Sequence, residues 1–181
     1  GSGKSVVSRL LRIMGYSVYD TDSEAKRLME SSLEVVQKLS ECFGRDIYHN
    51  GRLNRGLLSS RVFGESDKIV LLNSIVHPVV RFDFYRWSES LNEEICFVES
   101  AILYESRFDE LVDEVWTVTA PEELRIGRVR QRSGLTEEEI KKRMAAQLSE
   151  EEKQRRAAHI IWNDGNVSVI HRVLSLLKSL E

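Results

Sequence analysis

The sequence predicts an α/β fold in which a mainly parallel sheet is covered by helices on both faces. Short apolar segments of strand length alternate with longer segments that have helical periodicity. The strand-like segments are residues 16–20, 95–98, 115–119 and 160–162. Because helical segments separate these strands, the strands are expected to run parallel, with the helices packed against both faces of the sheet.

Each helical segment is predicted from the spacing of its apolar residues and from the residues that begin or end it. Residues 5–14 form an amphipathic helix, and capping side chains at 21–24 begin another. An apolar stripe at 71–76 is predicted to end at His77, because a proline follows and disfavours the helical conformation there. Residues 167–180 form the last amphipathic helix.

The composition is that of an ordinary soluble globular domain and disfavours binding along a nucleic acid. The chain has 181 residues, 41% of them hydrophobic, and a net charge of -3. A protein that grips a nucleic-acid backbone usually has a basic balance. No apolar run is long enough to span a membrane, and the two cysteines have no metal-binding spacing. We therefore expect a cytoplasmic protein with no nucleic-acid or membrane partner.

The strongest motif is a glycine-rich segment that runs directly into the first helix. It consists of Gly1, Ser2, Gly3, Lys4 and Ser5, and it matches the end of the Walker A pattern. Glycines let backbone N–H groups surround phosphate oxygens, and the helix N-terminus favours negative charge. The lysine would reach the β and γ phosphates and the serine hydroxyl would bind Mg²⁺. The alternative is a flexible glycine turn that happens to precede a helix.

This motif predicts a P-loop NTPase-type sheet, and the chain begins inside it. We expect a further strand upstream of Gly1. The nucleotide-binding core is predicted at residues 1–24, 93–121 and 156–181. A helical insertion at 25–92 would bind the acceptor substrate, and a charged helical lid would occupy 122–155.

An acidic pair lies at the end of the strand-like segment 16–20. Asp20 and Asp22 lie where ligands collect in open α/β sheets, beyond the carboxyl ends of the strands. A carboxylate there can accept a proton from an attacking hydroxyl or hold magnesium through water. The alternative is that Asp22 caps the following helix. Beside a P-loop, we favour Asp22 as the general base.

The predicted lid is rich in arginine and lysine. Thr136 and Glu139 form a capping box that begins one of its helices. Arg128 and Arg132 lie one helical turn apart, and Arg143 lies in the next helix. Most such charges belong to a solvated face. A kinase nevertheless needs mobile cations around the transferring phosphoryl group, so we select Arg132 and Arg143, and then Arg128.

In order along the chain, the motifs resemble those of dephospho-CoA kinases, the enzymes of the last step of coenzyme A synthesis. The matching segments are G-S-G-K-S at 1–5, V-Y-D-T-D at 18–22, G-R-L-N-R at 51–55, I-V-H-P at 75–78, A-I-L-Y-E at 101–105, R-V-R-Q-R at 128–132, L-T-E-E-E-I-K-K-R-M-A-A-Q at 135–147 and N-D-G at 163–165. Ala101 departs from the family's usual proline, and Val6 replaces a common threonine.

The resemblance implies an ATP-dependent phosphorylation of the ribose 3′-hydroxyl of dephospho-CoA, with Mg²⁺ bound to ATP. Gly1 to Val6 would bind the triphosphate, and Asn163 would lie near the adenine. Asp22 would be the base. His77, Arg81, Leu103 and Glu105 would line the acceptor pocket, and Arg132 and Arg143 would belong to the lid. A monomer is favoured. His77 also has a structural explanation, as a packed or capping residue before Pro78. A zinc site is disfavoured, because the sequence has no second histidine at the spacing of zinc ligands.

Two alternatives to this function remain. The first is another nucleotide or small-molecule kinase that has the same core and a different acceptor. The second is a non-catalytic nucleotide-binding switch, which would bind nucleotide without acceptor-dependent turnover. The acidic pair and the arginine-rich lid favour catalysis. A GTPase is disfavoured because the sequence has no N-K-x-D guanine-binding motif.

Overall fold

The computed structural model describes residues 1–180, which divide into two compact units. The first unit consists of Gly1–Val18 and of the chain from Ile95 onward. The second unit is Tyr19–Glu94. The chain passes from the first unit to the second within a short strand, Val18–Asp20.

In chain order the elements are α1 (Lys4–Ile13), β1 (Val18–Asp20), α2 (Thr21–Ser31), α3 (Leu33–Phe43), β2 (Tyr48–His49), β3 (Arg52–Leu53), α4 (Arg55–Val62), α5 (Ser66–Glu89), β4 (Phe97–Glu99), β5 (Trp116–Thr119), α6 (Glu122–Ser133), α7 (Glu137–Ala145), α8 (Glu150–Arg156), β6 (His159–Trp162) and α9 (Val169–Leu177). Short 3₁₀ turns occupy Arg45–Ile47 and Phe108–Leu111.

The first unit contains a parallel strand pair. β5 and β6 run parallel, with Trp116 opposite His159 and Thr119 opposite Trp162. The backbone N–H of Asn163 donates to the carbonyl of Thr119 at 2.8 Å, so the pairing continues just past the end of β6. Parallel strands need a crossover between them. Here α6, α7 and α8 lie in that crossover, as the predicted α/β class requires.

Helices cover both faces of this strand pair. On one face the fully buried Ile161 and Val173 belong to a core with residues of α1 and α9, and Val118 packs against that core. On the other face Thr117 Oγ1 donates to the carbonyl of Lys153 in α8 at 3.3 Å. Successive strand residues point to opposite faces. The side chains of β5 therefore alternate between two faces that are both covered by helices, as predicted.

The second unit is mainly helical. Its helices α2, α3 and α5 pack on one another around Val35, Leu39 and Ile47, whose side chains have no exposed surface. A two-stranded antiparallel hairpin, β2 and β3, turns at Asn50 and Gly51, which both have positive φ. An Asn-Gly pair suits the two-residue turn that the twist of a hairpin favours.

The capping box predicted in the lid is present. The Thr136 backbone N–H donates to Glu139 Oε2 at 2.8 Å, and the Glu139 N–H donates to Thr136 Oγ1 at 3.3 Å. These bonds satisfy N–H groups at the start of α7 that have no partner within the helix. The sequence alone places this helix start, because its bonds are local.

The prediction that a helix ends at His77 is wrong. α5 is one helix that contains Pro78 in its interior. Ile75 and Val76 before the proline and Val80 and Phe84 after it are buried. An interior proline costs a helix about 3 kcal/mol. Burial of apolar residues on both sides of Pro78 outweighs that cost, which the local sequence does not reveal.

We expect Pro78→Ala to stabilise the protein. Alanine restores a backbone N–H to the interior of α5 and is favoured over proline there by about 3 kcal/mol. The more flexible unfolded chain offsets less than about 1 kcal/mol of this gain. Urea unfolding followed by helical circular dichroism measures the difference. Pro121→Ala is the matched control, because Pro121 precedes α6 and interrupts no helix. An unchanged or lower stability of Pro78→Ala would contradict the explanation.

Candidate active site

The glycine-rich segment forms a tight bend at the N-terminus of α1. Gly3 precedes the helix in the left-handed region, with φ 102°, and its carbonyl accepts from the Val6 N–H at 2.9 Å. The first turn of α1 contains no acidic residue, and no side chain among the described residues caps it. The N–H groups and the positive end of the helix dipole are thus available to an anion.

Asn163 fixes the conformation of this bend. Its Nδ2 donates to the Ser2 carbonyl at 2.8 Å. A side chain at Gly3 would collide with the Asn163 amide, and the positive φ of Gly3 is also unfavourable for other residues. Glycine at position 3 is therefore required both by its backbone conformation and by the close approach of Asn163.

Arg128 joins α6 to the same bend. Its Nη2 donates to the Asn163 carbonyl at 2.9 Å, and its Nη1 lies 3.5 Å from the Gly1 carbonyl. The sequence predicted Arg128 as a weaker candidate for a lid cation. Its guanidinium binds backbone carbonyls of the P-loop and of the turn after β6. It holds these segments together through the rigid fork of an arginine.

A buried carboxylate lies beneath the P-loop lysine. Glu99, the last residue of β4, has a side chain that is 6% exposed, and its Oε1 lies 2.5 Å from Lys4 Nζ. The same oxygen accepts from Ser5 Oγ at 3.1 Å. One carboxylate thus holds both side chains that were predicted to bind phosphate and magnesium.

Glu99 stays ionised in this environment. Burial by itself raises the pKa of its carboxyl, because a charged group loses hydration. Hydrogen bonds from Lys4, Ser8 and Ser5, together with the charge of Lys4, more than offset burial and lower the pKa below its ordinary value. The positive charge of Lys4 and the negative charge of Glu99 therefore coexist at neutral pH.

Sequence reasoning missed Glu99. A signal was present, because Glu99 directly follows the apolar segment 95–98, just as Asp20 and Asp22 follow their strand. Glu105 was selected instead. Its Oε1 accepts from the Leu148 N–H at 2.6 Å, so it fixes the chain between α7 and α8. Leu103 is half-buried, and its carbonyl accepts from the Phe108 N–H at 2.9 Å.

The two selected lid arginines are exposed. Arg132 lies in the last turn of α6 and Arg143 in the last turn of α7. The positive charges of Arg132, Lys4, Arg125 and Arg128 all act at Gly1, the first residue of the P-loop segment. Positive potential accumulates at this bend, which favours a polyanionic ligand.

A partly buried ion cluster fixes the base of the lid. Glu150 at the start of α8 lies 3.2 Å from Arg125 Nη1, and its other oxygen accepts from Thr119 Oγ1 at 2.8 Å. Arg125 Nε also donates to the Ala120 carbonyl at 3.0 Å. The ends of β5, α6 and α8 therefore meet around one carboxylate, while the tips of α6 and α7 carry exposed charges.

The acidic pair has divided roles in the second unit. The Asp20 side chain accepts from the N–H groups of Asp22 and Ser23 at 3.1 and 3.3 Å, and so caps α2. The alternative of Asp22 as the cap is therefore wrong, because Asp20 occupies that role. Asp22 lies in the first turn of α2 with an exposed side chain.

His77 and Arg81 lie one turn apart on α5, and both are half-buried. Burial lowers the pKa of His77, which favours its neutral form at pH 7.

The first unit brings Ser2, Gly3, Lys4 and Ser5 into contact with Asn163 and Glu99. Asp22, His77 and Arg81 lie in the second unit.

Within residues 1–180, no group of three or more histidine, cysteine, aspartate or glutamate side chains could hold a metal ion. Over the same residues, no helix has both the length and the apolar character needed to cross a membrane.

Comparison with known proteins gives the family. The family model for dephospho-CoA kinase (CoaE) matches residues 1–168. This chain belongs to the dephospho-CoA kinase family. It is 38% identical over 181 residues to the dephospho-CoA kinase of Porphyromonas gingivalis. The alignment covers 99% of this chain and 90% of that protein. It is 39% identical to a Bacteroides fragilis dephospho-CoA kinase, over 99% of this chain and 88% of that one.

Solved structures agree with the fold. A Thermus thermophilus protein of known crystal structure has a TM-score of 0.87 and 35% identity, over 99% of this chain and 92% of that chain. The dephospho-CoA kinase of Campylobacter jejuni shares the fold, with a TM-score of 0.72. The predicted P-loop NTPase-type α/β fold is confirmed. The predicted kinase function, ATP-dependent phosphorylation of dephospho-CoA in coenzyme A synthesis, is confirmed at the level of the family.

For this member of the dephospho-CoA kinase family, we expect Lys4→Met to destabilise the protein in a pH-dependent way. Removal of the ammonium leaves Glu99 buried without its cation, at a cost of about 1–3 kcal/mol near pH 7. The pKa of Glu99 in the folded variant then rises. The loss is therefore largest above the ordinary value of 4.5 and shrinks as falling pH protonates the carboxyl. Urea unfolding at about pH 7 and pH 4.5 measures this change.

Two variants complete the Lys4 experiment. Lys4→Met combined with Glu99→Gln should recover most of the stability lost near pH 7, because no buried charge remains. Lys38→Met removes the cation of an exposed pair, 2.7 Å from Glu34, and should cost less than about 0.5 kcal/mol at either pH. A deficit in Lys4→Met that is independent of pH would reject this account of Glu99.

Proposed function

We propose that this chain transfers the γ-phosphoryl group of ATP to the ribose 3′-hydroxyl of dephospho-CoA. The observation that carries the proposal is the buried Glu99, which holds Lys4 Nζ and Ser5 Oγ at the positive end of α1. Phosphoryl transfer needs little covalent chemistry from a protein, and its catalysis is mainly positioning and charge stabilisation. A P-loop whose side chains are already oriented supplies both.

The triphosphate would bind to the N–H groups at the start of α1 and to Lys4. An ammonium group has three N–H donors, so Lys4 can keep its bond to Glu99 while it donates to phosphate oxygens. Because Glu99 fixes the lysine beforehand, less side-chain entropy is lost when ATP binds. We assign Asn163 and Arg128 to the support of this bend, and we retain the proposal that Asn163 lies near the adenine.

The residues beneath the P-loop fit a magnesium ion brought by ATP. Ser5 and Glu99 offer a hydroxyl and a carboxylate oxygen 3.1 Å apart, and Mg²⁺ prefers oxygen ligands while it keeps several waters. We propose Ser5 as a direct ligand and Glu99 as a ligand through water. Bound there, Mg²⁺ would neutralise charge on the β and γ phosphates.

The lid would complete the site around the reacting phosphoryl group. We propose that Arg132 and Arg143 offset negative charge in the transition state and exclude water when residues 122–155 close. Both guanidiniums are exposed at helix ends, whereas Glu150 fixes the lid base. This division allows the helix tips of the lid to move on a fixed base.

We retain residues 1–24, 93–121 and 156–181 as the proposed nucleotide-binding core.

The acceptor would bind to residues of the helical lobe at 25–92, which we propose as the CoA-binding region. Asp22 would accept the proton of the 3′-hydroxyl, and its carboxylate is exposed because Asp20 provides the cap of α2. His77 and Arg81 would contact the acceptor. We also propose that Leu103 and Glu105 border its pocket. The active form would be a monomer.

A direct assay tests the function. Purified protein with ATP and Mg²⁺ should consume ATP in proportion to added dephospho-CoA, and ³¹P NMR should identify a 3′-phosphate in the product. A panel of other nucleotide and small-molecule alcohols should give little turnover. Consumption of ATP with another acceptor and none with dephospho-CoA would overturn the proposal. Binding of ATP without any acceptor-dependent turnover would instead indicate a nucleotide-binding switch.

We expect Asp22→Asn to lower kcat by about 10²–10⁴-fold, the usual contribution of a general base. Its affinity for ATP, measured by calorimetry, should not change. Asp20→Asn is the matched control: it removes the neighbouring carboxylate, and asparagine caps a helix as well as aspartate does. Near wild-type turnover in Asp22→Asn, or equal losses in both variants, would remove Asp22 from the mechanism.

A further inference from the structure

One carboxylate in the second unit joins two helices and a strand. Asp83 of α5 accepts at Oδ2 from the hydroxyl of Tyr19 in β1 at 2.7 Å. The same oxygen accepts from Arg27 Nη2 of α2 at 2.8 Å. Arg27 also bonds to Glu24 one turn earlier on α2, at 2.5 Å. β1, α2 and α5 are thus linked through a single oxygen atom.

The tyrosine in this group is held by packing as well as by its hydroxyl. Tyr19 is 3% exposed, and its ring contacts Phe84 and Trp87 with centroid distances of 5.3 and 5.2 Å. Burial, and then the hydrogen bond to Asp83, raise the pKa of Tyr19, so the phenol remains a donor. A buried phenol and a carboxylate form a charge-assisted bond, which is stronger and more directional than a neutral one.

The three linked elements carry the residues that we propose for the acceptor. Asp22 is the second residue of α2, and Asp20, the last residue of β1, caps that helix. Arg81 lies two residues before Asp83 on α5, and His77 lies one turn further back. A shift of α5 along α2 would therefore change the distance between the proposed base and the proposed acceptor contacts.

We propose that Asp83, with Tyr19 and Arg27, positions α5 against the start of α2 and thereby sets the geometry of the acceptor site. The inference rests on the proposed function. These side chains act as positioning residues, through Asp22, His77 and Arg81. Because Tyr19, Arg27 and Asp83 all belong to the second unit, the group governs the alcohol substrate and leaves ATP binding by residues of the first unit unaffected.

The test compares kinetic constants for the two substrates in Tyr19→Phe and Asp83→Asn. Tyr19→Phe keeps the aromatic ring and removes only the hydroxyl, so its packing is preserved. Each change should raise KM for dephospho-CoA by about fivefold to tenfold and lower kcat, because a charge-assisted bond is lost. KM for ATP should stay within about twofold of the wild-type value. Arg27→Lys, which keeps the charge, should show a smaller effect than Asp83→Asn.

Asp46→Asn is the control. Asp46 also bonds to an arginine of the second unit, Arg61, at 2.8 Å, but this bond joins a 3₁₀ turn to α4. Its KM for dephospho-CoA should rise less than that of Asp83→Asn, because the bond to Arg61 lies outside the group of Tyr19, Arg27 and Asp83. Calorimetric binding of dephospho-CoA without ATP provides a readout that is independent of turnover and should weaken in the same order.

The outcomes separate the two levels of the proposal. If the wild-type protein does not phosphorylate dephospho-CoA, the proposed function fails. If it does, and Tyr19→Phe and Asp83→Asn have unchanged KM for dephospho-CoA, the positioning inference is wrong. Equal increases of KM for both substrates would also overturn it, because they indicate a general loss of structure. The double variant should be no worse than Asp83→Asn alone if both residues act through one bond.

Discussion

The buried carboxylate of Glu99 is the constraint on which the P-loop depends. A charged group with so little exposure must be compensated, and the ammonium of Lys4 lies in contact with its Oε1. This requirement fixes the lysine and the Ser5 hydroxyl at the start of α1 before any ligand binds. The motif therefore has a defined geometry because Glu99, almost a hundred positions later in the chain, binds the side chains of Lys4 and Ser5.

The bend is also held from its other side, through backbone atoms. Asn163 binds the Ser2 carbonyl, and Arg128 binds the carbonyls of Asn163 and Gly1. These contacts leave the N–H groups of the P-loop available to an anion while they satisfy its carbonyls. They also connect α6, the first helix of the predicted lid, to the P-loop. A shift of α6 would therefore move Arg128 and change the position of the P-loop bend to which it is bonded.

The sequence predicts best the features that depend on neighbouring residues. The Thr136–Glu139 capping box is predicted because it results from hydrogen bonds between neighbouring residues, whereas the glycine-rich motif indicates the P-loop bend but not its distant contacts with Glu99 and Asn163. The continuity of α5 through Pro78 depends on burial against other helices, which overrides local preference. Glu99 was missed for a related reason: its strand position was visible in the sequence, but its contact with Lys4 exists only in the folded chain.

The two aspartates after β1 illustrate how a structural requirement can reserve a side chain for chemistry. The start of a helix offers few N–H groups to a cap, and Asp20 accepts from those of Asp22 and Ser23. Once Asp20 has satisfied them, the carboxylate of Asp22 has no comparable role in folding, although it sits only two residues away. In a D-x-D motif the first aspartate can thus cap the helix while the side chain of the second stays exposed. Under the proposed function, Asp22 would accept the proton of the substrate from this exposed position.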